Sequence, residues 1–134
     1  RYGKLHAALD IQCNRVGVDL TCAAYSLEGA AWVDGLMQVL DTNRRILCDG
    51  INAIPGLTAM PMQSTFLAWV DYTDTGMTSD EIHRRVTQDA RIMPSPGQIF
   101  GPGGEMHQRI NIGAPTALVQ EAVERLQSAF SDLQ

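Results

Sequence analysis

The stretch Pro94–Pro115 reads PSPGQIFGPGGEMHQRINIGAP. A Pro/Gly-rich loop gives way to a short alternating segment, and a proline then opens a helix. In residues 107–112 the side chains of Gln108, Ile110 and Ile112 fall on one face of an extended strand. Those of Arg109 and Asn111 fall on the other, because successive strand residues point to opposite sides. An arginine so placed, beside an asparagine and below a glycine-rich loop, can present its planar donor fork to a carboxylate. The competing reading is an ordinary ion pair with an acidic neighbour on a solvated face. Gly97, Gly101, Gly103 and Gly104 could cradle a phosphate through backbone N–H groups. The segment lacks the G-K-[ST] ending of a phosphate-binding loop, however, and no G-x-G-x-x-G precedes a helix. Tight turns with positive φ are the plainer reason for these glycines. Glu105, Met106 and His107 receive no role.

Downstream, Pro115 suits the first position of a helix, where its missing N–H leaves no bond unmade. Leu118, Val119, Ala122, Val123, Leu126, Phe130 and Leu133 then form an apolar stripe at helical spacing. Glu121 and Arg125 are set for an i,i+4 pair. Upstream, Thr78-Ser79-Asp80-Glu81 is a capping-box pattern: Thr78 caps, Glu81 returns to it, and Met77 and Ile82 form a hydrophobic staple. The helix after this box is expected to bury Ile82, Val86 and Ala90 and to turn Arg84, Arg85 and Asp89 to water. STFLAWVDY, residues 64–72, is apolar, β-branched and aromatic between turn residues, as a buried strand is; Trp69 is assigned to the core. Residues 57–60 suit a short strand, and Pro55-Gly56 a turn. From Asp19 to Asn52 helix formers dominate, with Trp32, Leu36, Val39, Leu40, Leu47 and Ile51 as a stripe expected to be buried. Asn14 to Asp19, with Gly17, reads as a loop, and Arg1 to Ile11 as a helix.

The order is helices, strand or strands, helix, strand, helix. That predicts a small α/β (α+β) sandwich whose sheet carries helices mainly on one face, preceded by a long helix. The 134 residues are enough for a core. A formal charge of -5 argues against nucleic acid or an anionic membrane surface as partner. No apolar run is long enough to span a bilayer, and no signal-peptide pattern opens the chain. Cys13, Cys22 and Cys48 form no C-x-x-C pair and read as reduced, half-buried thiols of a cytoplasmic protein. Together with His6, His83 and His107 they show no finger-like spacing, so no metal site is expected. Lys4 is the only lysine. It sits on a polar helix face, a solvated charge rather than a nucleophile. With no initiator methionine and Arg1 inside a helical pattern, the chain reads as a piece of a longer protein.

Pro94-Ser95-Pro96-Gly97, Phe100-Gly101, Gly104, Arg109, Asn111, Gly113 and Pro115 together resemble the C-terminal signature of fold-type I pyridoxal-phosphate (PLP) enzymes. Within that superfamily the chain is most similar to class I/II aminotransferases and their cystathionine beta-lyase-like relatives. Thr21-Cys22-Ala23-Ala24-Tyr25, Gly29 and Trp32 resemble the A-x-A-A-Y…G…W run of those proteins. Pro61 with residues 65–71 resembles their P-x-x-x-T-[YF]-L-x-W-[LV]-D. The resemblance implies that residues 1–28 end a large PLP-binding domain and that 29–134 form the C-terminal small domain, joined by a long interdomain helix. It implies transamination or C–S β-elimination on an amino-acid or 2-oxo-acid substrate, with pyridoxal 5′-phosphate bound mainly by residues upstream of this chain. Arg109 is then the grip on the substrate's α-carboxylate, and Asn111 a second substrate-binding residue. A cytoplasmic homodimer is implied as well, with the large domain of the same chain as a partner. The family's Schiff-base lysine motif is not found at Lys4, so the chain by itself is expected to be inert. The alternative reading is a non-catalytic small α/β domain that binds a carboxylate metabolite at Arg109.

Overall fold

The computed structural model describes residues 2–9 and 13–133. The chain divides into two compact units, Arg1–Met37 and Gln38–Gln134. In the first lie α1 (Tyr2–Ala8), α2 (Arg15–Ala24) and the start of α3 (Leu27–Asn52). Arg1 and Ile11, the ends of the expected first helix, lie outside the described residues. Residues 15–19, expected as loop, are helical instead. The reason is local: the Asn14 side chain accepts the N–H of Gly17 at 2.6 Å and so caps α2 one residue before Arg15. Ser26 separates the next two helices in the same manner. Its hydroxyl donates to the carbonyl of Ala23 (2.7 Å) and accepts the N–H of Gly29 (3.0 Å).

Burial along α3 is uneven. Leu40, Asn43, Leu47 and Ile51 are buried, whereas Trp32 and Val39, expected in the same stripe, are exposed. Trp32 retains 68% of its accessible surface, and Val16, Leu20, Tyr25 and Leu27 are exposed too. Cys13 and Cys22 are exposed rather than half-buried; Cys48 is partly covered.

The second unit is built on a four-stranded antiparallel sheet of order β1-β2-β4-β3. The strands are β1 (Thr58–Ala59), β2 (Leu67–Asp71), β3 (Ser95–Pro96) and β4 (His107–Asn111). Alternation along β2 and β4 turns Ala68, Val70, Gln108 and Ile110 to one face, where they are buried. Against that face pack Leu47 and Ile51 of α3, Ile82 and Val86 of the helical segment 79–89, and Val119, Val123, Leu126 and Phe130 at the C-terminal helix. This is the expected sandwich with helices on one face. Asn43 is its polar rivet. Fully buried, its amide Nδ2 donates to the carbonyls of Ile112 (2.9 Å) and Ala114 (2.8 Å), tying α3 to the segment that leaves β4.

Four details differ from the sequence reading. In α4 (Ser79–Arg84) Thr78 accepts the N–H of Glu81 as expected, but the Glu81 carboxylate does not return to the cap. It accepts instead from Arg84 (3.0 Å) and Arg85 (2.9 Å), since two guanidinium donors on the next turn outcompete one backbone N–H. Arg85 is accordingly not in water. It opens a π-helical turn (Arg85–Asp89), is only 16% exposed, and bridges Glu81 to Asp132 (2.9 Å) over the ring of Phe130. In α5 (Thr116–Ala129) Pro115 is the N-cap rather than the first helical residue. Leu118 is exposed, one position off the stripe that buries Val119, Val123 and Leu126, while Glu121 and Arg125 do pair.

Candidate functional site

The candidate side chains stand on the sheet face opposite the core. Residues of like parity on neighbouring strands come side by side: Ser95 of β3 stands opposite Arg109 of β4, which stands opposite Trp69 of β2. Trp69, expected in the core, is therefore half-buried on the outer face. It shares parity with Leu67 and Asp71, not with the buried Ala68 and Val70. That parity was the available signal, and its apolar bulk outweighed it.

Arg109 is held from two sides. Its Nη2 donates to the Ser95 hydroxyl at 3.1 Å, and its guanidinium carbon lies 4.5 Å from the centre of the Phe100 ring. Phe100 in turn packs edge-on against Trp69, ring centres 5.6 Å apart. Among the described residues no carboxylate pairs with Arg109, so the ordinary surface ion pair is not what this arginine makes. A half-buried guanidinium held by a ring and one hydroxyl keeps donors free for a ligand. Asn111, exposed two residues along on the same face, accepts the N–H of Gly113 at 2.7 Å and so closes the strand end. No hydrogen bond joins it to Arg109.

Beside this row lies a second pair. The His107 ring stacks on Trp69 (5.4 Å, 19°), and its Nε2 is 3.5 Å from the Asp71 carboxylate. Burial pushes the Asp71 carboxyl up. The hydroxyl and N–H of Thr73, both donating to it, and the neighbouring His107 outweigh that and hold it below the usual carboxylate range. Sequence reasoning assigned His107 no role. Its place under Trp69 follows from the β2–β4 register, which no local motif carries.

The glycine-rich loop delivers Phe100 through a three-ten turn, Gly97–Phe100. A Cβ at Gly97 would stand 2.3 Å from the carbonyl oxygen of Gly104, and one at Gly104 would stand 2.2 Å from that of Gly97. The two backbones touch, and the pinch between them is what needs glycine. Gly101 and Gly103 have positive φ, at 126° and 89°. The loop thus packs on itself, with the N–H groups of Gly101 and Gly104 donating to the carbonyls of Gln98 and Gly101. Lys4, on α1, is exposed. Among the described residues no group of three or more His, Cys, Asp or Glu side chains is arranged to hold a metal ion, and no helix is long and apolar enough to cross a membrane.

No family model matches the chain. Individual relatives do. Cystathionine beta-lyase PatB of Bacillus subtilis is 29% identical over 119 residues, covering 88% of this chain and 30% of that protein. Among solved structures, cystalysin from Treponema denticola, which contains a pyridoxal 5′-phosphate cofactor, superposes with a TM-score of 0.81 at 32% identity, covering 92% of this chain and 32% of that one. A PLP-bound aminotransferase candidate from Clostridium difficile 630 gives a TM-score of 0.84 at 28% identity, over 96% of this chain and 33% of its own. The chain spans about a third of the length of the relatives it matches. In sequence and in fold, the chain is a relative of the fold-type I PLP-dependent aminotransferases and cystathionine beta-lyases, and its small antiparallel sheet and long helix match their C-terminal domain.

Proposed function

We propose that the protein to which this chain belongs is a PLP-dependent enzyme acting on an amino-acid or 2-oxo-acid substrate, by transamination or by β-elimination at a C–S bond. In this reading Arg109 binds the substrate's α-carboxylate. The observation that supports the assignment is the cradle of Ser95 and Phe100 around a guanidinium that has no carboxylate partner among the described residues. A bidentate grip fixes both the position and the plane of a carboxylate, and with them the direction of the bonds at Cα. Asn111 holds the strand end that carries Arg109, its side chain exposed on the same face, and we assign it to the substrate-binding set.

When bound, pyridoxal phosphate supplies the electron sink of such a reaction. The described residues of this chain do not fit it: the sole lysine is exposed, and the glycine loop is closed on itself. We assign its seat to residues upstream of this chain, and the chain alone is inert. The large domain of the same chain and a second copy in a homodimer are the partners of this reading, and the compartment is the cytoplasm. The exposed apolar residues of α2 and α3 support a covering partner, because clusters of this kind seldom stay bare.

The test is kinetic and uses the intact enzyme. Arg109→Ala removes one side of a charge-assisted pair, which typically costs about 2–5 kcal/mol. That corresponds to a fall in kcat/KM on the order of 30- to several-thousand-fold, at about 1.36 kcal/mol per factor of ten. Arg109→Lys keeps the charge without the fork and recovers part of the loss. An amine substrate without a carboxylate changes little in either variant. Equal damage to both substrate types makes Arg109 a structural residue and removes the assignment.

A further inference from the structure

A polar hollow of about 170 Å³ lies where α4 meets β3 and the start of β4. Gln108 lines it from the core face of the sheet, opposite the face that carries Arg109. The amide of Gln108 is the unusual feature. The residue is 5% exposed, its Oε1 is buried without a hydrogen-bond partner, and its Nε2 donates to no described residue. An unpaired amide in a core is costly, and nearly all buried polar side chains find partners. Ser79, Asp80 and Glu105 also line the hollow, with Ile82 as an apolar wall. No lysine or arginine lines it, and neither Asp80 nor Glu105 has an ion-pair or side-chain hydrogen-bond partner among the described residues. The cations that follow Asp80 in the chain, Arg84 and Arg85, are taken by Glu81, Asp89 and Asp132.

We propose that this hollow binds a small organic cation rich in N–H donors, of the guanidinium class. Three kinds of acceptor line it, the Gln108 amide, the Ser79 hydroxyl and the two carboxylates, and a planar fork of five donors can serve several at once. The terminal amide torsion of glutamine is soft, so Gln108 can turn its Oε1 to the ligand. Asp80 and Glu105, both exposed, supply the opposite charge, and Ile82 covers a short carbon chain. The volume decides between kinds of cation. A single water needs only about 10–15 Å³, so a bare metal ion would leave most of the hollow unfilled, whereas an alkylguanidinium occupies it. Among the described residues no group of three or more His, Cys, Asp or Glu side chains is set for a metal in any case. The inference stands apart from the Arg109 assignment, since it uses other residues and a ligand of opposite charge.

The experiment titrates the intact protein with butylguanidinium, with butanol and butyrate as its neutral and anionic controls. Calorimetry reads the affinity, and thermal melting reads the stability of the free and liganded protein. Butylguanidinium is expected to bind at least about tenfold more tightly than either control, because its bonds are charge-assisted. Asp80→Asn and Glu105→Gln, at exposed positions, should each weaken it about two- to fivefold, the range of a solvent-screened ion pair. Gln108→Leu, of similar size, should weaken it further and yet raise the melting temperature of the free protein, because an unpaired buried amide is gone. A purely structural glutamine would give the reverse, a lower melting temperature and unaltered binding, and that result overturns the proposal. If butylguanidinium binds no better than butanol, the hollow holds water only and the proposal fails. If it binds wild type and all three variants equally, its seat is elsewhere and the proposal fails as well.

Discussion

Asn43 ties α3 to the segment that leaves the arginine strand, and its removal gives a quantitative test. The residue is fully buried on α3, and its amide makes two hydrogen bonds, to the carbonyls of Ile112 and Ala114, directly after β4. Asn43→Ala deletes both donors. Two net hydrogen bonds are worth about 0.5–1.5 kcal/mol each, and a buried carbonyl left without a donor costs about 1–3 kcal/mol. Against this, the Oδ1 atom of Asn43 is itself buried without a partner, so its removal returns part of the loss. The balance is a destabilisation of roughly 2–4 kcal/mol. Asn43→Asp separates hydrogen bonding from packing at nearly constant shape. Its carboxylate would face two carbonyl oxygens, which raises its folded-state pKa above the unfolded value of about 3.9. For an acid raised in this way the penalty is fully present at pH well above the folded pKa, and it shrinks as pH falls through that value, where the protonated acid can donate once. Urea unfolding of wild type and both variants, at pH 7 and at pH 4, reads the differences directly. Asn43→Asp is expected to be worse than Asn43→Ala at pH 7 and to recover toward it at pH 4. A loss below about 0.5 kcal/mol for Asn43→Ala, within the range of an ordinary surface change, would refute the rivet.

Other outcomes follow from the same geometry. Gly97→Ala forces a Cβ against the backbone of Gly104 and His107, so it should cost about 1–3 kcal/mol and shift the fluorescence of Trp69 by moving Phe100; unchanged stability and emission would contradict the pinch. Glu81, held down to about 2 by hydrogen bonds from Arg84 and then Arg85, contributes stability that is present above the ordinary carboxylate pKa of 4.5 and is lost as pH falls toward about 2. Glu81→Gln should flatten that part of the acid-unfolding curve, and an unaltered curve would show that the two ion pairs do not matter. The chain by itself should bind a hydrophobic dye, and less so after Trp32→Ser, because Trp32 and its neighbours on α2 and α3 are exposed.

Legibility in the sequence followed the range of the interactions. The β4 alternation, the Thr78 cap and the Ile82, Val86 and Ala90 stripe depend on residues within a turn or two of each other, and all were readable. The fold class followed from their order, and the resemblance led to the same family of proteins. What failed depended on partners distant in the chain. Arg85 looked solvated because Asp132 and Phe130 lie more than forty residues away. Trp69 looked like core because its outer-face neighbours, Phe100, His107 and Arg109, arrive only through strand pairing. Asn14 was a different failure. A cap and a loop share the same residue types, and only the bond to Gly17 decides between them.

The two faces of β4 explain why its site can be rigid without a dedicated scaffold. Gln108 and Ile110 are clamped between β2 and the helices, and Asn43 fixes the backbone just beyond them. Arg109 lies between those two anchors, so its Cα has little freedom of its own. Its guanidinium is then aimed by Ser95 and Phe100, the flanks of the segment that the Gly97–Gly104 contact folds back on itself. Positioning thus comes from core packing below and from Ser95 and Phe100 above, and of the five N–H donors of the guanidinium only one, on Nη2, is taken by Ser95. A functional arginine needs that separation: groups that hold it must leave the fork free, and a ring face with a single hydroxyl does so where an aspartate would not. Replacing Ser95 by Asp would break the separation, because a carboxylate in that place would satisfy the guanidinium internally and compete with any ligand for it.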